Sequence, residues 1–291
     1  PGEPCRYSAG QRNSHSALKI SRQSKIQIGD TLMILFAFVV CCFTPLADQT
    51  NTGKDAAAAH AWAREKLEAS RASFPPSMQG NNSLPLALPI VSLELYNVSE
   101  TDEELKHLAS LPKLKSLNVS GKGITDDGLK HILTLKELET LGLHGAVITD
   151  AGMKQLAKLR SLKRLDLSGV ELTDSGIREL ADLPKLQELN LKNTPVGDGA
   201  LRHVREMNKL RYLNLRNTKI SDAGLGHLAA MPELSKIILQ NTPITGEGLR
   251  RLATCKSLRT IYCWGTEVAN EDIRQLKVFL PKCEISKTLI E

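Results

Sequence analysis

The chain is 291 residues long and carries 38 Lys and Arg against 32 Asp and Glu, a formal charge of +6. Residues 91–291 hold 29 basic and 26 acidic side chains, a mixed surface that lacks the concentrated positive field of a nucleic-acid binder. Aromatic residues make up only 4% of the sequence, so a place where Tyr and Trp gather needs a reason.

The sequence starts at Pro1 and has no Met before Met33, which points to a start that is missing or processed. Residues 1–30 form a basic polar region containing Arg6, Arg12, Lys19, Arg22 and Lys25. Residues 31–47 follow, with an unbroken apolar run from Leu32 to Phe43 and then Thr44-Pro45-Leu46-Ala47. Two main readings fit. A signal peptide has this order of basic region, short apolar core and small residue, although Pro45 suits the small-x-small cleavage rule poorly. A retained membrane anchor also fits, since the 17 residues from Thr31 to Ala47 reach the lower limit for spanning a bilayer. Either one predicts an exported protein, secreted or held in the cell envelope, with membrane contact confined to this segment.

Residues 48–90 are expected to form a helical linker and N-terminal cap. Asp55 to Ala72 is rich in strong helix formers and stops at Phe74-Pro75-Pro76, and Trp62 is its only large anchor. A stalk or docking role and a plain spacer are both open for this stretch.

From residue 91 to 291 the pattern repeats. Leu93, Leu117, Leu141, Leu165, Leu189, Leu213, Ile237 and Ile261 stand 24 residues apart, which predicts eight units. A second apolar column lies two residues on, from Leu95 to Cys263, so each unit contributes a short strand with one inward face. Ile124, Ile148 and their counterparts then lead into a helix whose apolar stripe is Leu129, Ile132 and Leu135 in one copy and Leu225, Leu228 and Met231 in another. One unit buries about seven apolar side chains worth roughly 2 kcal/mol each, against roughly 1 to 2 kcal/mol of ordering entropy per residue, so units must stack to fold.

These LxxLxL and ITDxGL spacings resemble leucine-rich repeats, in particular the 24-residue type of planctomycete bacterial proteins and of the cysteine-containing repeats of F-box proteins. The resemblance implies an α/β solenoid of horseshoe form, with parallel strands on the concave side and helices on the convex side. It also implies a binding scaffold. The expected function is an exported or membrane-tethered scaffold that holds a protein or peptide on its concave face. A structural envelope solenoid without a ligand is the alternative, and an F-box-like substrate-recognition subunit fits less well.

Several ladders follow the same period. Asp102, Asp126, Asp150, Asp174, Asp198 and Asp222 stand at helix starts, where they are expected to cap the first turn. His107, His131, His203 and His227 share one position, but neighbouring helices are too far apart for a column to supply a compact metal site. Thr194, Thr218, Thr242 and Thr266 are expected to satisfy backbone groups in the turn after each strand. Cys255, Cys263 and Cys283 read as small core residues, with one disulfide to Cys283 the alternative in an oxidising compartment. The segment Leu280 to Ile285 shifts the repeat phase by about one residue and resembles a terminal cap. No nucleophile elbow, zinc-protease motif, phosphate loop or C-x-x-C occurs, so neither enzyme, cofactor nor metal is expected.

What remains is the set of strand residues between the core positions, which must point away from the helices. Tyr212, Asn214, Arg216, Ile238, Tyr262 and Trp264 fall together there, flanked by Lys192 and Lys236, and these eight are the expected partner-binding residues. Aromatic and Arg side chains are favoured interface anchors. The alternative is that Tyr262 and Trp264 merely cover the C-terminal edge of the stack.

Overall fold

In the computed structural model the described residues are 57–63, 65–66, 90–95 and 101–288, all within the compact unit Val39–Glu291. The export segment, Cys5, Cys41, Cys42 and Tyr96 lie outside them. Nine strands form one open parallel sheet in sequence order. They are β1 (Ser92–Leu95), β2 (Ser116–Ser120), β3 (Thr140–His144), β4 (Arg164–Asp166), β5 (Glu188–Asn190), β6 (Tyr212–Asn214), β7 (Lys236–Ile238), β8 (Thr260–Tyr262) and β9 (Glu284–Ser286). Each residue pairs with the one 24 positions on, from Ser92 with Ser116 to Thr260 with Glu284. Identical periods therefore place Leu on Leu along the inner side of the sheet, and Leu93, Leu117, Leu141, Leu189 and Leu213 are fully buried there.

The ninth strand corrects the count of eight. Ile285 stands 24 residues after Ile261 and pairs with it, so the segment from Leu280 that resembled a cap supplies a further strand. The phase shift is real but local. Cys283 fills the place next to Lys282, where the third leucine column would fall, and it donates its amide to Leu280 as Leu258 does to Cys255. Tyr262 thus lies one strand in from the edge, and Ile285 and Cys283 extend the core beyond it.

Helical turns run along the other side, short because each must return the chain within one period. They include Asp126–Ile132, Asp150–Leu156, Asp174–Leu180 and Asp198–Val204, while Glu104–Ser110 in the first repeat is a 3-10 helix. The residue before each Asp, and not the Asp, is the cap. Thr125, Thr149, Thr173, Ser221 and Thr245 accept from the amide two residues on through their hydroxyls.

The Asp ladder was expected to cap its own helices, and the structure corrects this. Each carboxylate turns to the next repeat: Asp150 Oδ1 accepts from Thr173 N at 3.2 Å and Oδ2 from Thr173 Oγ1 at 2.6 Å. Asp102 serves Thr125, Asp126 serves Thr149, Asp198 serves Ser221 and Asp222 serves Thr245 in the same way. The capping hydroxyl is itself oriented by this bond, so a side chain from one repeat fixes the helix start of the next. The repeat glycine is explained by the same contact. A Cβ on Gly176 would stand 2.5 Å from Asp150 Oδ1, and one on Gly152 2.1 Å from Asp126 Oδ1.

At the N-terminal end, residues 57–63 are helical, with Ala59 and Ala63 fully buried. Trp62 stacks on His107 at 5.1 Å and Lys66 pairs with Glu104 at 3.0 Å, so this helix lies on the first 3-10 turn. Its aliphatic residues join the core that runs on to Ile285.

Candidate ligand-binding face

The face of the sheet turned away from the helices is built by the pleat. Inward Leu positions alternate with outward ones, and after each strand the chain leaves through a left-handed residue. That residue is Gly at 121, 145 and 169, then Asn193, Asn217 and Asn241 at φ 59°, 56° and 53°, then Gly265. Asn tolerates this conformation because its short amide bonds locally. Here the amides bond one another: Asn217 Nδ2 donates to Asn193 Oδ1 at 2.5 Å and Asn241 Nδ2 to Asn217 Oδ1 at 2.8 Å. Sequence reasoning missed this ladder, whose signal is the recurring Asn-Thr pair. The Thr of each pair behaves as expected, since Thr194, Thr218, Thr242 and Thr266 donate to the carbonyl three residues back at 2.7 Å.

The structure brings the eight candidate residues onto β5 to β8 and the turns that leave them, but not with uniform exposure. Asn214, Ile238 and Tyr262 are buried at 7%, 4% and 9% exposure, contrary to the expectation of open columns. Large side chains on strands in adjacent register cover one another, and Ile238 sits between its register partners Asn214 and Tyr262. Lys236 adds to the cover, its Nζ 5.7 Å from the Tyr212 ring centre and 5.3 Å from that of Tyr262. The segment after β9 reaches the same face, where the Thr288 carbonyl accepts from Gln240 Nε2 at 3.0 Å. Lys192, Tyr212, Arg216 and Lys236 are half-buried, and Trp264 is exposed. The result is an apolar and aromatic floor beneath three cations and an indole.

Over β1 to β4 the same face is small, polar and of opposite sign. Burial raises the Glu94 carboxyl above its usual range, partly offset by a hydrogen bond from Asn118. Asp166 is fully engaged: its Oδ1 accepts from Ser168 N and Oγ at 2.9 and 2.7 Å, and its Oδ2 from Asn190 Nδ2 at 2.8 Å. His144 Nδ1 lies 2.6 Å from Ser168 Oγ and 3.5 Å from Asp166 Oδ1. These three residue types invite comparison with a hydrolase triad, but the order of contacts differs. Ser168 donates to Asp166, so His144 Nδ1 carries the hydrogen directed at Ser168, and no imidazole lone pair is set to take the serine proton. The cluster ties three strands together.

Comparison with known proteins follows this geometry. The leucine-rich repeat family model matches residues 110–133, 158–181 and 206–229, each segment one full period and each two periods from the next. The chain is a leucine-rich repeat protein. Among curated proteins the sequence has no match. Among solved structures it is similar to an internalin (inlF) from Listeria monocytogenes, at 21% identity and TM-score 0.50, over 69% of this chain and 62% of that one. An internalin C2 (inlC2) from the same organism is similar at 21% identity and TM-score 0.55, over 77% of this chain and 92% of that one. A leucine-rich repeat protein from Leptospira interrogans matches at 25% identity and TM-score 0.46, over 62% of this chain and 45% of that one. The chain therefore spans less than two-thirds of the first two of these in the order of the inlF internalin and the Leptospira protein. What the internalins share with this leucine-rich repeat chain is the fold.

Three further features of the repeat protein bear on chemistry. Cys255, Cys263 and Cys283 are free and buried, and the disulfide alternative is not realised. Each thiol points at a different carbonyl, those of Met231, Ser286 and Glu284. Among the described residues no group of three or more His, Cys, Asp or Glu could hold a metal ion. Among the same residues no helix is long and apolar enough to cross a membrane.

Proposed function

We propose that this leucine-rich repeat chain is a scaffold, not an enzyme, that holds a protein or peptide across the open face of its sheet at β5 to β8. One observation carries the reading. Tyr212, Tyr262, Trp264, Lys192, Arg216 and Lys236 are concentrated on four adjacent strands of a chain otherwise poor in aromatic residues, while the face over β1 to β4 is small and polar. Buried aromatic floors rimmed by cations are the composition of interface centres. Nine strands about 4.8 Å apart extend the face to roughly 38 Å, a length that suits an extended polypeptide better than a metabolite. The basic and apolar residues before position 48 support export, with the repeats held outside the cytoplasm.

The test is quantitative capture from envelope extract with the tagged chain and with Trp264→Ala and Arg216→Ala, folding being checked by far-UV spectra. The expected result is loss of the same captured protein from both variants. Identical capture by folded variants would remove this face from consideration and favour a structural solenoid without a ligand.

A further inference from the structure

We infer that the segment received over β5 to β8 is an acidic peptide, seated with its carboxylates on Lys192, Arg216 and Asn214 and an apolar side chain against Trp264. This rests on the strand-face reading above and specifies its partner.

The charge pattern is the first support. The middle and last outward columns of β5 to β8 hold Lys192 and Arg216 and no Asp or Glu, and Lys236 adds a third cation from the first column. Elsewhere in the stack, cations of neighbouring repeats are matched by carboxylates. Lys113 pairs with Glu137 at 2.8 Å, Lys163 with Glu139 at 2.7 Å, and Arg211 with Glu233 at 2.7 Å. Those glutamates are held below the usual carboxylate range by the hydrogen bonds they accept from Lys113, Lys163 and Arg211. Lys192 has no carboxylate partner among the described residues, although it occupies a half-buried place on the open face.

Asn214 is the second support, independent of net charge. It and Asn190 occupy the same repeat position, and each orders its turn by accepting the amide two residues on, Lys192 N at 3.1 Å and Arg216 N at 3.0 Å. Asn190 Nδ2 then donates to Asp166, but Asn214 Nδ2 has no acceptor among the described residues, because the residue 24 before it is Asn190 and not an acid. Asn214 is 7% exposed, so an open donor there favours an incoming acceptor. Glu94 and Asp166 close off the alternative placement, since an acidic segment laid over β1 to β4 would meet carboxylates already satisfied by their neighbours.

A displayed library of random dodecapeptides panned on the full chain tests this. The expected peptides carry an excess of two or more Asp and Glu beside an aromatic or aliphatic residue. Their affinity should fall about tenfold between low and physiological salt, and be lost on Lys192→Glu/Arg216→Glu. If that double variant does not fold, Lys192→Gln should weaken the same peptides by a factor of about three. Enriched peptides that are neutral or basic overturn the inference. Should those peptides lose binding to Trp264→Ala, the strand face remains the docking site and only the acidic partner is wrong; if they bind that variant unchanged, both readings fall. A library that enriches nothing, or a chain that self-associates through this face, also overturns the acidic peptide.

Discussion

At the residue scale, the stack is joined by a three-residue device in which an Asp, a Thr and a Gly come from two consecutive repeats. Asp150 holds both the amide and the hydroxyl of Thr173, and Gly176 leaves the room its carboxylate needs. The chain contains its own variant of the device. In the helix Asp198–Val204 the Gly place is taken by Ala200 and the Thr place by Gly197, and there Asp174 Oδ2 lies over Gly199 while Oδ1 accepts only the Gly197 amide. Two opposing effects meet at Gly176. Helix propensity favours Ala by about 1 kcal/mol, whereas a Cβ forced against a charged oxygen costs roughly 1 to 3 kcal/mol and should win. Gly176→Ala is therefore expected to lower the urea midpoint, as is Asp150→Ala, which removes two hydrogen bonds worth about 1 to 3 kcal/mol together. The double variant should lose less than the sum of the two, because removing the carboxylate removes the clash. Strict additivity would show that the contact is not the reason for the glycine. The sequence showed that Asp, Thr and Gly recur, but not that they act across repeats, because spacing reveals which positions are equivalent and not which neighbour a side chain turns towards.

At the scale of elements, strand identity and register were legible down to single residues, since a 24-residue period with Leu at fixed places admits one pairing. The missed strand is instructive. Ile285 continues the column, but Lys282 breaks the leucine series three residues before it, and the break was read as the end of the repeat. β9 matters for stability because it closes the core over Cys263, whose Sγ lies 3.6 Å from the Ser286 carbonyl. Burial pushes the Cys263 thiol up to about 11, with Lys287 pulling weakly the other way. An unfolded thiol ionises near 8.5, so between these values the unfolded chain releases a proton that the folded chain keeps. The stabilisation is complete below about pH 8.5 and is lost as pH rises towards 11. From pH 8 to pH 10 the native chain should lose about 2 kcal/mol more than Cys263→Ala, measured by denaturant unfolding at each pH. Parallel pH profiles for the two proteins would place the thiol in contact with water.

At the scale of the whole molecule, repetition separates what folding explains from what it does not. Leu, Asp, Thr and Gly recur because each repeat must bury the next, and positions free of that demand collect on the open face of the sheet. The sequence therefore located the candidate site by subtraction, and the structure keeps its eight residues together on β5 to β8. It altered their roles, since Asn214, Ile238 and Tyr262 form a buried floor and only Trp264 of the aromatic residues is exposed. Burial on that face depends on which long side chains lie across their neighbours, and on where the segment after β9 returns, neither of which a period can express. The Asn193, Asn217 and Asn241 ladder escaped notice for a similar reason, because a left-handed turn residue leaves no mark in apolar spacing.

Site-specific photocrosslinking tests the central claim most directly. A benzophenone amino acid is placed at Trp264 or Lys192 on the open face, and at Lys154 or Arg178 on the helical side, in the otherwise unchanged chain. The account predicts that illumination in envelope extract yields one common adduct from positions 264 and 192 and none from 154 and 178. An adduct formed from the helical positions, or equally from all four, would contradict it.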